Sequence, residues 1–486
     1  LFRAYEANTT SVLWTGKAAE DALRLAFDSK LVGNGSEKRD IYVEARREFL
    51  LYKFDPNAFI DWSSASINME NFIHIKMMAF SNADNLRSIP SAVDGLKRSQ
   101  QKILYHALTA PSGELNVARF AAAVATKTSY HHGEASLQGA VTKMASEFAG
   151  SGNIKFLNPN GQFGTRHAQG DDAASPRYVH TSVNSVAKAL FPIPDLAVLP
   201  REFDDDQKAI EPSFFTPVIA TALLNGSRGV GTGWSSLIPS YNPLDLIAVA
   251  RFLARGEETL ARDYELLPWA IGWTGDVLAT DGGFCTHGVF ELVTPRRLRI
   301  TELPLGVATD TWLNGIVTPL KKPAKDQVDP STLIDDVIKK NGNDTVNITF
   351  VLNEDVKKKD VPKLFRLVNK VSTRNMNLLD EDKKVKFFKT PFDIAKYHST
   401  VRLAFYEKSR IEQIRVAEEE ASILGAKAKY IQLIVDKALI LSDFTSSQLD
   451  GQLSSLGLRK VDNSYTFLKS IPTGQLTRDN IDKLKK

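Results

Sequence analysis

The sequence predicts an α+β chain of several domains with one long projecting helix, and three observations carry that prediction. At 486 residues the chain exceeds what one hydrophobic core usually organises, so two to four domains are expected. Between residues 210 and 350, short β-like runs are interrupted by helical pieces, which points to an α+β arrangement rather than a regular α/β alternation. After Pro391 no proline occurs until Pro472, and in that interval apolar residues recur at spacings of three and four.

Composition narrows the class. A hydrophobic fraction of 43% with 24% charged residues is that of an ordinary globular protein and excludes wholesale disorder. The net charge is +4, with basic groups such as "LKRSQQK" and "TPRRLR" set against acidic ones such as "FDDDQ". That balance does not by itself establish a nucleic-acid partner, because solvated surface accounts for most such runs. The single cysteine, Cys285, rules out an internal disulfide and a cysteine-based metal cluster and fits a reducing intracellular compartment. No apolar run approaches the roughly 20 residues needed to span a bilayer, and no signal peptide is visible. The chain starts at Leu1 and stops inside "LTRDNIDKLKK", so it reads as an internal fragment of a longer protein.

Taken in order, "KAAEDALRLAFDSKL" has helical spacing and "YKFDPNAFIDW" reads as a connecting loop. From Phe72 to Leu108 the apolar positions suit two helices broken at "RSIPS", since the residue before Pro90 is pushed out of helical geometry. "SYHHGEASLQGAVTKMASEF" reads as a loop entering a helix, and "NIKFLNPNGQFGTR" as a short strand turning at Asn160 and Gly161. "HGVFELV", "RLRITELP" and "TVNITFVL" supply strands further on. In the last part Ile411, Ile414, Ala417, Ala421, Leu424, Ala428, Ile431 and Val435 form a coiled-coil-like seam on a helix of about 45 residues, roughly 70 Å long. Such a seam serves either a projecting functional arm or a hairpin that only stabilises a dimer.

Few stretches carry chemistry. "NGSRGVGTGW" has the glycines of a phosphate-cradling loop, but no acidic residue about 20 positions on and no Lys-Ser/Thr after the last glycine, so a nucleotide site is not expected there. His131 and His132 in "YHHGE" are adjacent on a loop, a poor arrangement for one metal ion, and a role in hydrogen-bonding a phosphate or the backbone suits them better. No Gly-x-Ser-x-Gly, HExxH or Cys-His pairing is present. There remains "GDDAASPRYVHTS", residues 170–182. Tyr178 in it is either a packed aromatic or a nucleophile. A phenol of pKa near 10 needs a base or a positive field to attack phosphorus, and Arg177 supplies a permanent cation whose fork matches phosphate oxygens.

Several separated strings together resemble the cleavage core of the eukaryotic-type type IIA DNA topoisomerases: "ADNLRSIPSAVDGLK", "YHHGEASLQGAV", "NPNGQFGTR", "DAASPRYVHT", "LNGSRGVGTGWSSLIPSYNP", "GWTG" and "ITELP". They stand in the family's order across about residues 70 to 480. The gyrase-type bacterial relatives carry different wording around the tyrosine, which favours the eukaryotic type. The resemblance implies that Tyr178 forms a transient 5′-phosphotyrosyl bond during passage of a second duplex, that Arg177 assists it and that His132 lies near the scissile phosphate; the alternative is a DNA-binding and bending architectural module without cleavage activity of its own. It implies that Arg87, Lys97, Lys102, His131, Asn160, Gln162 and Arg166 line a bent duplex, and that Ile238 enters a base step, where an apolar wedge unstacks the bases and the bend enlarges the contact.

The architecture so implied is a linker at 1–68 after a missing TOPRIM domain, a winged-helix domain with the tyrosine at 69–212, a tower at 213–388, and an antiparallel coiled coil with a dimer gate at 389–486. The partners implied are double-stranded DNA and a second copy of the chain, with no membrane, and the location implied is first a nucleus, with an organelle or a viral factory as the alternatives. Mg²⁺ and ATP are the implied cofactors, both bound outside these residues, with no metal ligand among them. The pattern departs from the family at four places: Arg98 and Ser99 stand for Pro-Gly, Gln101 for an arginine, and Asp171 for a lysine. Those changes are expected to alter charge near the DNA path.

Overall fold

The computed structural model describes residues 10–14, 16–33, 39–111, 113–321 and 333–485. The chain divides into two compact units, residues 1–404 and 405–486.

In the first unit, helix α1 (Gly16–Phe27) and helix α2 (Ile41–Glu48) occupy the stretch expected to be a linker. Asp40 caps α2 through its carboxylate, which accepts the amides of Tyr42 and Val43 at 2.9 and 3.3 Å, satisfying donors that a helix start leaves unpaired. Ala22 of α1 packs with Ile73 and Met78, so these residues join the body of the unit. The chain stays helical beyond α2 through a π turn at Phe49–Lys53, closed by the Phe54 amide on the Phe49 carbonyl at 2.9 Å; the loop expected at "YKFDPNAFIDW" begins only after it. Helix α3 (Met78–Ser88) stops where expected, with Ile89 extended ahead of Pro90 at φ −86 and ψ 129.

Helices α4 (Arg98–Thr109), α5 (Val117–Lys127) and α6 (Glu134–Ala145) pack together beside a small antiparallel sheet. Its strands are β1 (Leu115–Asn116), β2 (Leu157–Asn160) and β3 (His180–Val183), in the order β1-β3-β2. Ile103, Leu104, Val117, Val124, Leu137, Val141 and Leu157 are fully buried there. A hairpin follows, β4 (Ser227–Val230) paired with β5 (Ser235–Ile238).

Further along, β6 (Phe290–Thr294), β7 (Arg297–Ile300), β8 (Ile334–Lys339) and β9 (Ile348–Leu352) form an antiparallel sheet in the order β6-β7-β9-β8. Ile348, Phe350 and Leu352 alternate inward along β9, as a half-buried strand requires. They meet Trp312 of helix α7 (Thr309–Lys321) and Phe365 in one core.

Helix α8 (Pro391–Val435) is 45 residues long, as the seam predicts. In the second unit its later part forms a core with helices α9 (Ser446–Ser455), α10 (Thr466–Lys469) and α11 (Arg478–Lys485). Ala428 and Ile431 of the seam are buried among Leu449, Leu453, Leu468 and Ile481. The earlier seam residues Ile411, Ile414, Ala417, Ala421 and Leu424 are exposed.

Candidate active site

Tyr178 does not pack in a core. Its side chain is 78% exposed, while the backbone on both sides is held. The Tyr178 amide donates to the Ser175 carbonyl at 2.9 Å, and the first two amides of α5, those of Val117 and Ala118, donate to the carbonyls of Val179 and Pro176 at 2.9 and 3.1 Å. Asn116 caps the same helix by accepting the Arg119 amide at 2.8 Å. Amides left unpaired by the helix start thus bracket Arg177 and Tyr178, and the positive end of the helix dipole lies behind them. Val179 is buried and sits against Gly161, where an added Cβ would come 2.8 Å from the valine side chain with φ at +113. Arg177 is exposed as well. An arginine and a phenol on an anchored turn can meet a phosphodiester without refolding.

Asn160 and Gln162 belong to this end of the sheet. Asn160 pairs in register with His180, two residues after the tyrosine, and its amide nitrogen donates to Glu114 at 2.9 Å. Gln162 accepts the Gly164 amide at 2.8 Å and its carbonyl accepts the Ala174 amide, so it shapes the loop that leads into "SPRY".

A second group forms around the loop after α5. His131 and His132 are exposed, and Tyr130 meets the His132 ring edge-on with centroids 5.4 Å apart. Desolvation of the His132 ring, then the neighbouring charges of Arg87, His131 and Lys102, push its pKa below the ordinary histidine value. His132 is therefore neutral near pH 7 and offers one donor and one acceptor. Among the described residues no hydrogen bond joins His132 to Tyr178.

Three residues expected along the DNA path are placed differently. Lys102 turns inward: its ammonium contacts Glu211 at 2.8 Å and donates to the Thr128 carbonyl at 2.5 Å. Arg166 is buried and forked onto Glu302, which is itself buried and also accepts the amides of Thr274 and Leu303. Ile238 is 3% exposed at the end of β5, while its neighbour Leu237 faces solvent. Inward pairing explains the first two, since buried charges need partners; for Ile238 the alternation of the strand decides which side chain faces out.

The departures at residues 98–101 also have an internal explanation. Arg98 contacts Glu202 and Glu211 at 3.1 and 3.2 Å and donates to Gln101 at 3.1 Å. Gln101 is buried and donates to Asp94 at 2.9 Å. Arg98 and Gln101 thus belong to a largely buried polar network with Asp94, Glu202 and Glu211. Asp171 alone of the four remains exposed near the tyrosine turn. Ser99 lines a cavity beside Lys97. Lys143 and Arg228, which line that cavity too, were not singled out from the sequence; Arg228 stands between the glycines of "NGSRGVG" on the exposed side of β4.

The donor set does not fit a divalent metal: among the described residues no group of three or more His, Cys, Asp or Glu is placed to hold one. Nor is any helix among them long and apolar enough to cross a membrane.

An exposed Arg-Tyr pair is thus held at a helical start, on a three-helix body with a small antiparallel sheet. Residues 87–486 match the family model for the A chain of DNA gyrase/topoisomerase IV, and the chain belongs to that family. Its relatives are more particular. DNA topoisomerase 2 of Arabidopsis thaliana is 34% identical over 440 residues, covering 88% of this chain and 28% of the relative. The mitochondrial DNA topoisomerase 2 of Dictyostelium discoideum is 31% identical over 502 residues, covering 99% and 37%. The crystal structure of the Plasmodium falciparum topoisomerase II DNA-binding, cleavage and re-ligation domain superposes with a TM-score of 0.84 at 29% identity, covering 99% of this chain and 67% of that one. The chain thus spans about three tenths of the first of these curated relatives.

Proposed function

We propose that this chain is the breakage-reunion core of an ATP-dependent type II DNA topoisomerase. The observation that carries the reading is the exposed Tyr178 on a turn clamped by the first amides of α5. In the reaction, the Tyr178 oxygen attacks a backbone phosphorus, a 5′-phosphotyrosyl bond forms, and the 3′ oxygen leaves with the proton equivalent lost by the phenol. Religation reverses both bond changes. Arg177 stabilises charge on the non-bridging oxygens as it builds, and the α5 dipole favours the phenolate. His132, held neutral among cations, exchanges a hydrogen bond with the scissile phosphate.

On this reading residues 69–212 are a winged-helix domain, 213–388 a tower, and 389–486 a coiled coil and gate that hold two copies together. Residues 1–68 follow a TOPRIM domain that supplies Mg²⁺, and ATP is hydrolysed in another domain; the residues of this chain have no part in either. Arg87, Lys97, His131, Asn160 and Gln162 contact the duplex. Lys102 and Arg166 position their neighbours through Glu211 and Glu302, and Ile238 reaches a base step only if the β4–β5 hairpin uncovers it. The nucleus or an organelle is the place of action, as the relatives include a mitochondrial one.

A covalent-adduct assay tests the reading. The full-length protein is expected to trap protein–DNA adducts that vanish with Tyr178→Phe, whereas the 486-residue chain alone binds and bends duplex DNA and cleaves poorly. Adducts persisting in Tyr178→Phe, or robust Mg²⁺-dependent cleavage by the chain alone, would overturn it.

A further inference from the structure

Two adjoining cavities in the first unit are lined by cations and by no carboxylate. One, of about 590 Å³, lies between the start of α4, the face of α6 and strand β4, and its charged lining residues are Lys97, Lys143, Lys155 and Arg228. The other, of about 700 Å³, is lined by Lys143, Arg166, Arg228 and Lys370 and runs to Leu237 and Ile238. Lys143 and Arg228 border both, so the two form one trough with these side chains midway. Lys155 is paired with Glu147 and Arg166 with Glu302. Among the described residues Lys97, Lys143, Arg228 and Lys370 have no ion-pair partner, in a chain of 61 basic and 57 acidic residues where pairing would be easy. The charges of Lys143 and Arg228, after desolvation, depress the Lys97 pKa, as uncompensated neighbours do.

We propose that Lys143 and Arg228, with Lys97 on one side and Lys370 on the other, bind successive phosphates of a DNA strand. Several unpaired cations in a row suit an extended polyanion better than a single ion. Ala135, Ser136 and Gly139, on the same helix α6 as Lys143, line the first cavity with small side chains, and beside Gly139 there is open space, so a sugar-phosphate backbone can approach closely. Arg228 contributes the forked geometry that phosphate oxygens match, and the lysines contribute point charges. The inference rests on the proposed function, and it adds three contacts, Lys143, Arg228 and Lys370, to those already proposed.

The test is the salt dependence of duplex binding by the 486-residue chain, measured by fluorescence anisotropy from about 50 to about 300 mM salt, the range over which counterion release dominates. Each lost phosphate contact is expected to lower the slope of log K against log salt by about 0.9, so Arg228→Gln and Lys143→Gln each lose about one unit and the double variant about two. Arg228→Lys and Lys143→Arg are expected to restore the slope, which a merely structural role would not do. A double variant with the wild-type slope overturns the inference, even if it has lost binding to tripolyphosphate, which would mark the trough as a small-anion site. Loss of polyglutamate binding with duplex binding unchanged overturns it in favour of an acidic polypeptide. If the wild-type chain itself binds duplex with no salt dependence, the proposed function fails and not only this contact.

Discussion

Tyr178 and Arg166 show how little residue type says about exposure. A tyrosine usually buries its ring, and this one is held in solvent because the backbone around it is tied to α5 and Val179 takes the buried position instead. An arginine in a stretch resembling a DNA-binding segment usually faces out, and Arg166 is buried on Glu302. Glu302→Ala would strand a buried guanidinium, which costs about 3–5 kcal/mol; a urea-unfolding midpoint close to wild type would show that the pair matters less. His398 makes a second residue-scale prediction. It is buried, donates to the Pro217 carbonyl at 3.0 Å, and has its pKa pushed down to about 4, first by burial and then by Arg402. Between that value and the unfolded value of about 6.5 the unfolded chain takes up a proton that the folded chain refuses. Stability is therefore expected to fall as pH drops from about 6.5 towards about 4, by at most about 1.4 kcal/mol per pH unit from this group. His398→Gln should flatten that fall in thermal-melting midpoints read across the window; an unchanged slope would assign the acid sensitivity elsewhere.

Among the elements, the glycine-rich hairpin is the instructive case. Its glycines look like a phosphate loop in the sequence, yet they are packing residues. A Cβ on Gly229 would lie 2.1 Å from the Ser88 carbonyl oxygen, and one on Gly231 2.3 Å from the Asn85 side chain. The hairpin thus lies directly on α3, and only residues without side chains allow the approach. Gly229→Ala is expected to destabilise the first unit by about 1–3 kcal/mol through overpacking, measurable as a lowered melting temperature; a neutral result would mean that the hairpin shifts freely. The breaks and periods were legible in sequence: the stop of α3 before Pro90, the alternation of β9 and the full length of α8 all follow local rules. The continuation of α2 through a π turn was not, because the register that favours it depends on what packs beneath it.

Across the molecule, charge and the seam of α8 matter most. Where the seam is covered, at Ala428 and Ile431, it belongs to a core; where it is open, at Ile411, Ile414 and Leu424, it presents apolar side chains to solvent. Together with the proposed dimer gate, this predicts concentration-dependent self-association of the 486-residue chain. Sedimentation velocity should show a dimer that Ile414→Glu and Leu424→Glu weaken, and equal association by those variants would place the dimer contact away from the seam.

What the sequence by itself determined was local and ordered: the element types, the helix breaks at proline, the seam, and a string of motifs whose succession points to one family. These depend on neighbouring residues only, so they can be read along the chain. What only the tertiary structure decided was which charges are free. Lys102, Arg166 and Arg98 look available for DNA in the sequence, and each is taken by a glutamate 109, 136 or 113 positions away. Lys143 and Arg228 look unremarkable and are left without ion-pair partners, among the described residues, around a common cavity. Burial and pairing are set by residues distant in sequence, and a charge in a protein interior is stable only where the fold brings its counter-charge to it.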